Sequence, residues 1–210
     1  MRGKYACVAL AVAAVSPIVA AQDVDVEIQI IPRQVFSGGM DERLESPLPD
    51  AAVAAGSSHV WEFWASDVGS INTGIVAAYV NVFYDTGWVD AGPLNWSPLF
   101  PLFREGLIDD GAGLVENFGA GGMDPYGVEP NWVRLGWVDV VAGAPPTPQL
   151  VDLEAEVGIG EIGVFGRMAG PVSITAHDYW VPEPSAAALI AMGGLLACRR
   201  RFGGGRGLPV

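Results

Sequence analysis

Residues 23–31 read DVDVEIQII, and this strict alternation of polar and apolar residues decides the fold class. Successive side chains of a β-strand lie on opposite faces, so a period of two gives the segment one apolar and one polar face. Val26, Ile28 and Ile30 lie on the apolar face, and most of the positions between them are polar or acidic. The stretch therefore predicts a β-strand that is buried on one side.

Similar patterns recur along the chain. Residues 150–157 place Val151, Leu153 and Ala155 on one face and three acids on the other. Aromatic and β-branched residues are concentrated at 59–68, 75–85, 132–141, 161–165 and 172–176, which we predict as further strands. Residues 88–130 are rich in Gly and Pro, and we expect mostly loops there, with short strands at 99–104 and 114–118. We predict an all-β fold, an antiparallel β-sandwich of eight or nine strands.

The N-terminus has the three parts of a secretory signal peptide. Arg2 and Lys4 precede an uninterrupted apolar run at 6–15, and small residues precede Gln22. This layout predicts that residues 1–21 form a signal-peptide helix. We expect signal peptidase to cleave between Ala21 and Gln22, with Ala20 as the nearest alternative.

The C-terminus also has three parts, which are a short motif at 181–185, an apolar run at 186–198 and a basic cluster at 199–201. The residues of the motif and the cluster are Val181, Pro182, Glu183, Pro184, Ser185, Arg199, Arg200 and Arg201. This arrangement resembles the PEP-CTERM sorting signal. The resemblance implies that an exosortase recognises the tail and removes it during export to the cell surface or the extracellular matrix.

The apolar run is too short for a permanent membrane span. Thirteen helical residues reach about 20 Å, whereas the hydrocarbon core of a bilayer is about 30 Å thick. We therefore expect a short hydrophobic helix that anchors the chain in the inner membrane only transiently, with the arginines on the cytoplasmic side. The sorting signal would occupy residues 181–202, followed by a Gly-rich tail at 203–210. One domain, at 22–180, remains between the two ends.

This central domain is strongly acidic. It contains five arginines, no lysine and 23 acids, which give a formal net charge of −18. Such a charge repels phosphate backbones and argues against a nucleic-acid partner. Both cysteines, Cys7 and Cys198, belong to the terminal segments, so thiol catalysis in the domain is excluded.

Part of the domain resembles a known group of sandwiches. The order of Trp61-Glu62-Phe63-Trp64, an apolar strand at 74–82 and then Tyr84-Asp85 is similar to the early strands of cohesin-like and related carbohydrate-binding domains. The resemblance implies a β-sandwich that binds a partner. It does not transfer the partner-binding residues of cohesins to positions in this chain.

Motifs of catalysis are missing from the sequence. His59 and His177 have no histidine partner at a metal-binding spacing, and there is no Gly-x-Ser-x-Gly motif. Residues 158–163 match Gly-x-Gly-x-x-Gly, but a turn and a strand follow instead of the helix that a pyrophosphate site needs. We therefore expect a protein that is not an enzyme and needs no cofactor. A glycosidase with two carboxylates is the least favoured alternative.

Two kinds of binding residue are suggested. Asp109 and Asp110 lie in a predicted loop and could form a weak calcium site. Calcium binds clustered carboxylate oxygens at about 2.4 Å. The simpler interpretation is that both are solvated surface acids. Trp88 and Trp96 could stack on sugars if exposed, or fill the core.

We expect an exported, non-catalytic matrix protein for adhesion or structure in extracellular polysaccharide. The alternative is a carbohydrate-binding module that uses the exposed aromatic residues.

Overall fold

The computed structural model describes residues 24–35, 43–44, 48–159 and 162–184, and within them the chain is almost entirely β-structure. The strands, in chain order, are β1 (Val26–Arg33), β2 (Arg43–Leu44), β3 (Ser58–Asp67), β4 (Ile75–Tyr84), β5 (Val89–Trp96), β6 (Leu102–Asp109), β7 (Leu114–Tyr126), β8 (Trp132–Ala142), β9 (Gln149–Val151), β10 (Leu153–Val157), β11 (Gly163–Val164), β12 (Arg167–Met168), β13 (Val172–Ala176) and β14 (Tyr179–Val181). Nine of these described strands have five residues or more, and the sequence predicts eight or nine strands; the predicted strand at 161–165 is represented by the two-residue β11.

Two six-stranded sheets form the body of the molecule. Sheet 1 has the order β13-β1-β3-β8, and both β2 and β5 pair with the outer edge of β8. Sheet 2 has the order β12-β11-β4-β7-β6, and β10 pairs with β4 beside β11. Between strands of these sheets the pairing is antiparallel, except that β1 and β13 run parallel. The all-β sandwich that the sequence predicts is confirmed.

The main core fills the space between the two sheets. Val26, Ile28 and Ile30 of β1 are buried in it, as the alternation predicts. Aromatic rings join the sheets directly: the ring centroids of Phe63 and Phe118 are 4.4 Å apart, and those of Trp61 and Tyr84 are 5.2 Å apart.

The structure corrects the prediction for residues 88–130. Three strands, β5, β6 and β7, cover most of this region, and β5 was not predicted at all. Pro93 lies where the pairing of β5 with β8 shifts between Ala91 and Leu94, so its missing N–H falls at a bulge on an edge strand. Composition therefore indicated a loop where long-range pairing makes a strand.

A short ribbon closes one end of the sandwich. Strand β14 pairs with β9 in antiparallel register, with Tyr179 opposite Val151 and Val181 opposite Gln149. On its other side, the Trp180 amide donates to the Ala51 carbonyl at 3.0 Å, and the Val53 amide donates to the Trp180 carbonyl at 2.9 Å. The last described strand is thus held on both edges.

Candidate functional site

The centre of the outer face of sheet 1 is buried. On β3 the residues that point away from the main core include Glu62 and Trp64, with side chains 0% and 1% exposed. Trp64 packs with Ile31 and Trp132 in a second, smaller apolar cluster. This central part of the face is closed to a partner.

A buried ion pair lies on the same face. Arg134 donates from Nη1 to Glu62 Oε1 at 3.2 Å, and Trp64 donates from Nε1 to Glu62 Oε2 at 3.0 Å. The Arg134 guanidinium carbon lies 5.5 Å from the centroid of the Trp64 ring and 5.3 Å from that of Trp137. The charged group is therefore held between two indoles and a carboxylate, an arrangement that fixes structure.

The outer face of sheet 2 is exposed, and we call it the open face. The strand register places ten side chains on it: Tyr79, Asn81, Phe83, Glu105, Leu107, Asp109, Leu114, Glu116, Glu154 and Glu156. Phe103, in the irregular stretch of β6, is the eleventh, because its Cδ2 lies 3.3 Å from the position that a Cβ at Gly121 would take beside Ala77. Phe103 is 74% exposed, Leu107 61% and Phe83 38%. The face therefore presents apolar side chains that no described part of the chain covers.

The charge of the open face has one sign. Glu105, Asp109, Glu116, Glu154 and Glu156 are all acidic, and none of its eleven residues is basic. Arg104, the neighbouring arginine, donates from Nε to the carbonyl of Phe100 at 3.1 Å and so turns away from this face. The open face therefore combines exposed apolar side chains with acidic side chains.

Hydrogen bonds hold the open face in one shape. Tyr79 Oη donates to the Phe103 carbonyl at 2.8 Å, so that the irregular backbone at Phe103 is tied to β4. Asn117 Nδ2 donates to Glu105 Oε2 at 2.7 Å. Asn81 Nδ2 donates to Glu156 Oε1 at 3.1 Å. These bonds link four strands across the face and preorganise it for binding.

Sequence reasoning missed this surface. Phe103 was predicted near the end of a short strand at 99–104 and Leu107 in a loop, and only the spacing of Glu105, Leu107 and Asp109 could have indicated that the strand continues. Gly106 weakens that sequence pattern. In the structure its backbone φ of 154° interrupts the regular geometry of the strand.

The two tryptophans predicted to contact carbohydrate are half-buried. Both pack against the main core. Trp96 donates from Nε1 to the Gly119 carbonyl at 3.0 Å, and its ring stacks on that of Phe118 with centroids 6.0 Å apart. This geometry favours the core role for Trp96, while carbohydrate contact by Trp88 and Trp96 stays a prediction.

The two acids predicted to bind calcium lie at the hairpin between β6 and β7. Asp110 Oδ1 accepts hydrogen bonds from the Tyr84 hydroxyl at 2.5 Å and from the Ala91 amide at 3.2 Å. Asp109 Oδ1 accepts from the Ala112 amide at 3.1 Å. No group of three or more His, Cys, Asp or Glu that could hold a metal occurs among the residues described. Calcium binding stays a prediction.

The histidines serve packing and hydrogen bonding. His59 Nε2 lies 2.8 Å from Tyr179 Oη, and Trp61 Nε1 donates to the same hydroxyl at 3.2 Å. Burial lowers the pKa of His59 to about 4, against a smaller opposite effect of the Ser57 backbone. Burial also raises the pKa of Tyr179. The imidazole is therefore neutral near pH 7, and it shares a hydrogen bond with the tyrosine hydroxyl.

No catalytic pair is formed at the pocket beside His59. This pocket of about 490 Å³ is lined by Ser58, His59, Val60, Asp139 and neighbouring residues. Asp139 Oδ2 accepts from Asn95 Nδ2 at 3.1 Å, and His59 is engaged by Tyr179. Both side chains are thus engaged in hydrogen bonds with other residues of the fold.

The predicted sorting motif begins inside the fold. Val181 is the last residue of β14 and is fully buried, whereas Pro182 and Glu183 are half-buried and Pro184 is exposed. Ser185, the arginine cluster at 199–201, the apolar run, and Ala21 and Gln22 at the predicted signal-peptide cleavage lie outside the described residues, as do both terminal helices. Within the described ranges no helix has the length and apolar character that crossing a membrane requires.

Comparison with known proteins gives a fold likeness. Neither a protein-family model nor a curated protein matches the chain. A type I cohesin–dockerin complex from Clostridium thermocellum, with OlpC as the cohesin, matches with a TM-score of 0.51 and 10% identity over 78% of this chain and 99% of that one. The third cohesin of ScaC from Acetivibrio cellulolyticus, solved with the ScaB dockerin, matches with a TM-score of 0.50 and 10% identity over 75% and 98%. The seventh ScaB type I cohesin of Pseudobacteroides cellulosolvens has a TM-score of 0.50 and 9% identity over 75% and 91%.

These matches confirm the cohesin-like sandwich that the sequence suggested. At this identity the likeness concerns the fold alone. The chain therefore has the β-sandwich fold seen in cohesin domains.

Proposed function

We propose that this protein is an exported, non-catalytic adhesion or structural module of the extracellular matrix. Its sandwich binds a protein partner through the open face of sheet 2. The observation that carries this proposal is the contrast between the two outer faces. Glu62 and Trp64 on sheet 1 are covered, whereas Phe103 and Leu107 on sheet 2 are exposed. Exposed apolar side chains grouped on one face indicate an interaction site.

The charge of the open face defines the chemistry of the partner. Phe83, Phe103 and Leu107 are interspersed with five acids and no base, and Glu105 lies between Phe103 and Leu107 along β6. A complementary surface would carry apolar side chains with Lys or Arg around them. Electrostatic attraction of this kind accelerates association and weakens as salt is added.

The fold likeness supports a binding role. Two of the similar solved structures are cohesins in complex with dockerins, so the same architecture binds proteins elsewhere. For this chain we infer binding of a protein as the general activity, without assigning a dockerin as the partner.

The two terminal segments support the proposed export to the extracellular matrix. Signal peptidase would remove residues 1–21, and an exosortase would recognise the tail at 181–202 after transient anchoring in the inner membrane. Loss of the exosortase should leave the tail attached and keep the protein in the membrane fraction. Intact mass and fractionation of the protein from wild-type and exosortase-deficient cells test this, and an unchanged mass and distribution would contradict the proposed route.

Binding to extracellular matrix tests the open face. We expect purified protein to bind matrix from its own cells and to be released by raised salt. Phe103→Ser with Leu107→Ser should weaken binding at least about tenfold, because a central apolar contact contributes about 1.4 kcal/mol or more. Leu48→Ser is the matched control and should bind as wild type does, because Leu48 is 68% exposed and lies two residues before Asp50, whose amide donates to the Pro32 carbonyl of β1 in sheet 1.

Digestion of the matrix separates the two classes of partner. Protease treatment of the matrix should abolish binding, whereas glycosidase treatment should leave it intact. The opposite result would contradict protein binding and support the carbohydrate-binding alternative, for which Trp88→Ala and Trp96→Ala are then the informative variants.

A further inference from the structure

Strand β14 is an integral part of the core. Tyr179 and Val181 are fully buried. The Tyr179 hydroxyl bonds with His59 and Trp61 of β3, more than a hundred residues earlier in the chain. Because both edges of β14 are hydrogen-bonded, to β9 and to residues 51–53, its main chain is not free to enter the active site of a protease.

Accessibility changes abruptly after this strand. Val181 is buried, Pro182 and Glu183 are half-buried, and Pro184 is exposed. The core therefore reaches the first residue of the Val-Pro-Glu-Pro-Ser motif, with no spacer between the folded domain and the tail. Cleavage at or before Val181 would require β14 to separate from the body first.

We propose that β14 sets the upstream limit of tail removal, so that the bond cut lies on the C-terminal side of Val181. The mature protein keeps Tyr179, Trp180 and Val181, and the part of the motif that a processing enzyme can read on the folded domain begins at Pro182. This inference rests on the proposed function, since it requires that the tail is removed in the native cell.

Two measurements on the full-length chain test the limit. Intact mass of the protein from its native cells should give a C-terminus at Val181 or later. Native-state digestion of the untrimmed protein with a nonspecific protease should give early fragments that also end at Val181 or later. In the Tyr179→Ala variant, cuts between residues 177 and 181 should become at least about tenfold faster, because the strand loses its buried anchor.

Trp180→Ala is the matched control on the same strand. The Trp180 side chain is 50% exposed, so its removal should change these cuts less than about twofold. If Tyr179→Ala fails to fold, the C-termini of the early fragments from the wild-type protein test the upstream limit by themselves.

The outcomes separate this inference from the proposed function. A mature C-terminus before Val181 overturns the inference while supporting removal of the tail. A chain that keeps its whole tail in the native cell contradicts the export route. In that case the native-state protease digestion alone tests whether β14 sets the upstream limit of cleavage. Early cuts between residues 177 and 181 in the wild-type protein overturn the inference.

Discussion

His59 illustrates how a single buried residue makes stability depend on pH. Its pKa is lowered to about 4 in the folded protein, whereas an exposed histidine titrates near 6.5. As pH falls, the unfolded chain takes up this proton first, so stability is full above about pH 6.5 and declines towards about pH 4. Burial also lowers the pKa of His177, which acts in the same direction.

We predict that the free energy of unfolding falls by about 2 kcal/mol through His59 between about pH 7.5 and about pH 5. Urea denaturation at several pH values measures this change. The His59→Phe variant should lose most of the pH dependence whatever its absolute stability, while His177→Gln should keep most of it. Equal pH dependence in wild type and His59→Phe would contradict the assignment.

Glu62 is the residue on which the buried charges of sheet 1 converge. It accepts from Arg134 and Trp64, and Arg33 Nε lies 3.5 Å from its Oε2. Removing one member of a buried pair costs about 3–5 kcal/mol, because the remaining charge loses its compensation. We predict that Glu62→Gln lowers the free energy of unfolding by about 3 kcal/mol in urea denaturation. Glu154→Gln, at an exposed glutamate, should change it by less than about 0.5 kcal/mol.

The calcium prediction also belongs to single residues. Asp110 already accepts two hydrogen bonds through Oδ1, so a cation would need its other oxygen together with Asp109. If the site exists, millimolar calcium should raise the melting temperature at constant ionic strength, and Asp109→Asn should remove the rise. Identical melting with and without calcium would exclude the site.

At the scale of elements, close approach of strands β4 and β7 depends on a glycine. A Cβ at Gly119 would lie 2.0 Å from the Ala78 carbonyl oxygen, a backbone atom that cannot move away without disturbing the sheet. We predict that Gly119→Ala lowers the free energy of unfolding by about 3 kcal/mol in urea denaturation. Gly111→Ala, where a Cβ would meet only the Asp109 side chain at 3.2 Å, should have little effect. Similar losses for both variants would contradict the packing argument.

Elements with strict alternation could be predicted from sequence, whereas β5 could not, and β6 was predicted only in its first residues by the strand at 99–104. Strand β1 places its apolar residues in the core as its pattern requires. In β5, Pro93 and Gly92 break the local pattern, and pairing with β8, some fifty residues later, makes the strand. Local composition carries no information about such a distant partner.

At the scale of the whole molecule, the negative net charge opposes folding. The domain at 22–180 carries a formal charge of −18, and its repulsion is larger in the folded chain than in the expanded unfolded chain. We predict that sodium chloride raises the melting temperature by about 2–4 °C as screening increases, equivalent to about 1 kcal/mol. Calorimetry at low and high salt measures this shift, and Glu154→Gln with Glu156→Gln should reduce it. A falling melting temperature would contradict the argument.

The sequence by itself determined the all-β class, the acidic charge and the absence of familiar catalytic motifs, because alternation and composition are local properties. It also predicted the two terminal signals, whose function stays to be tested. Only the tertiary structure decided that the centre of the outer face of sheet 1 is covered, that the outer face of sheet 2 is open, and that Val181 belongs to the core. The physical reason is that a side chain's direction follows from its own strand, whereas its burial depends on what distant segments pack against it.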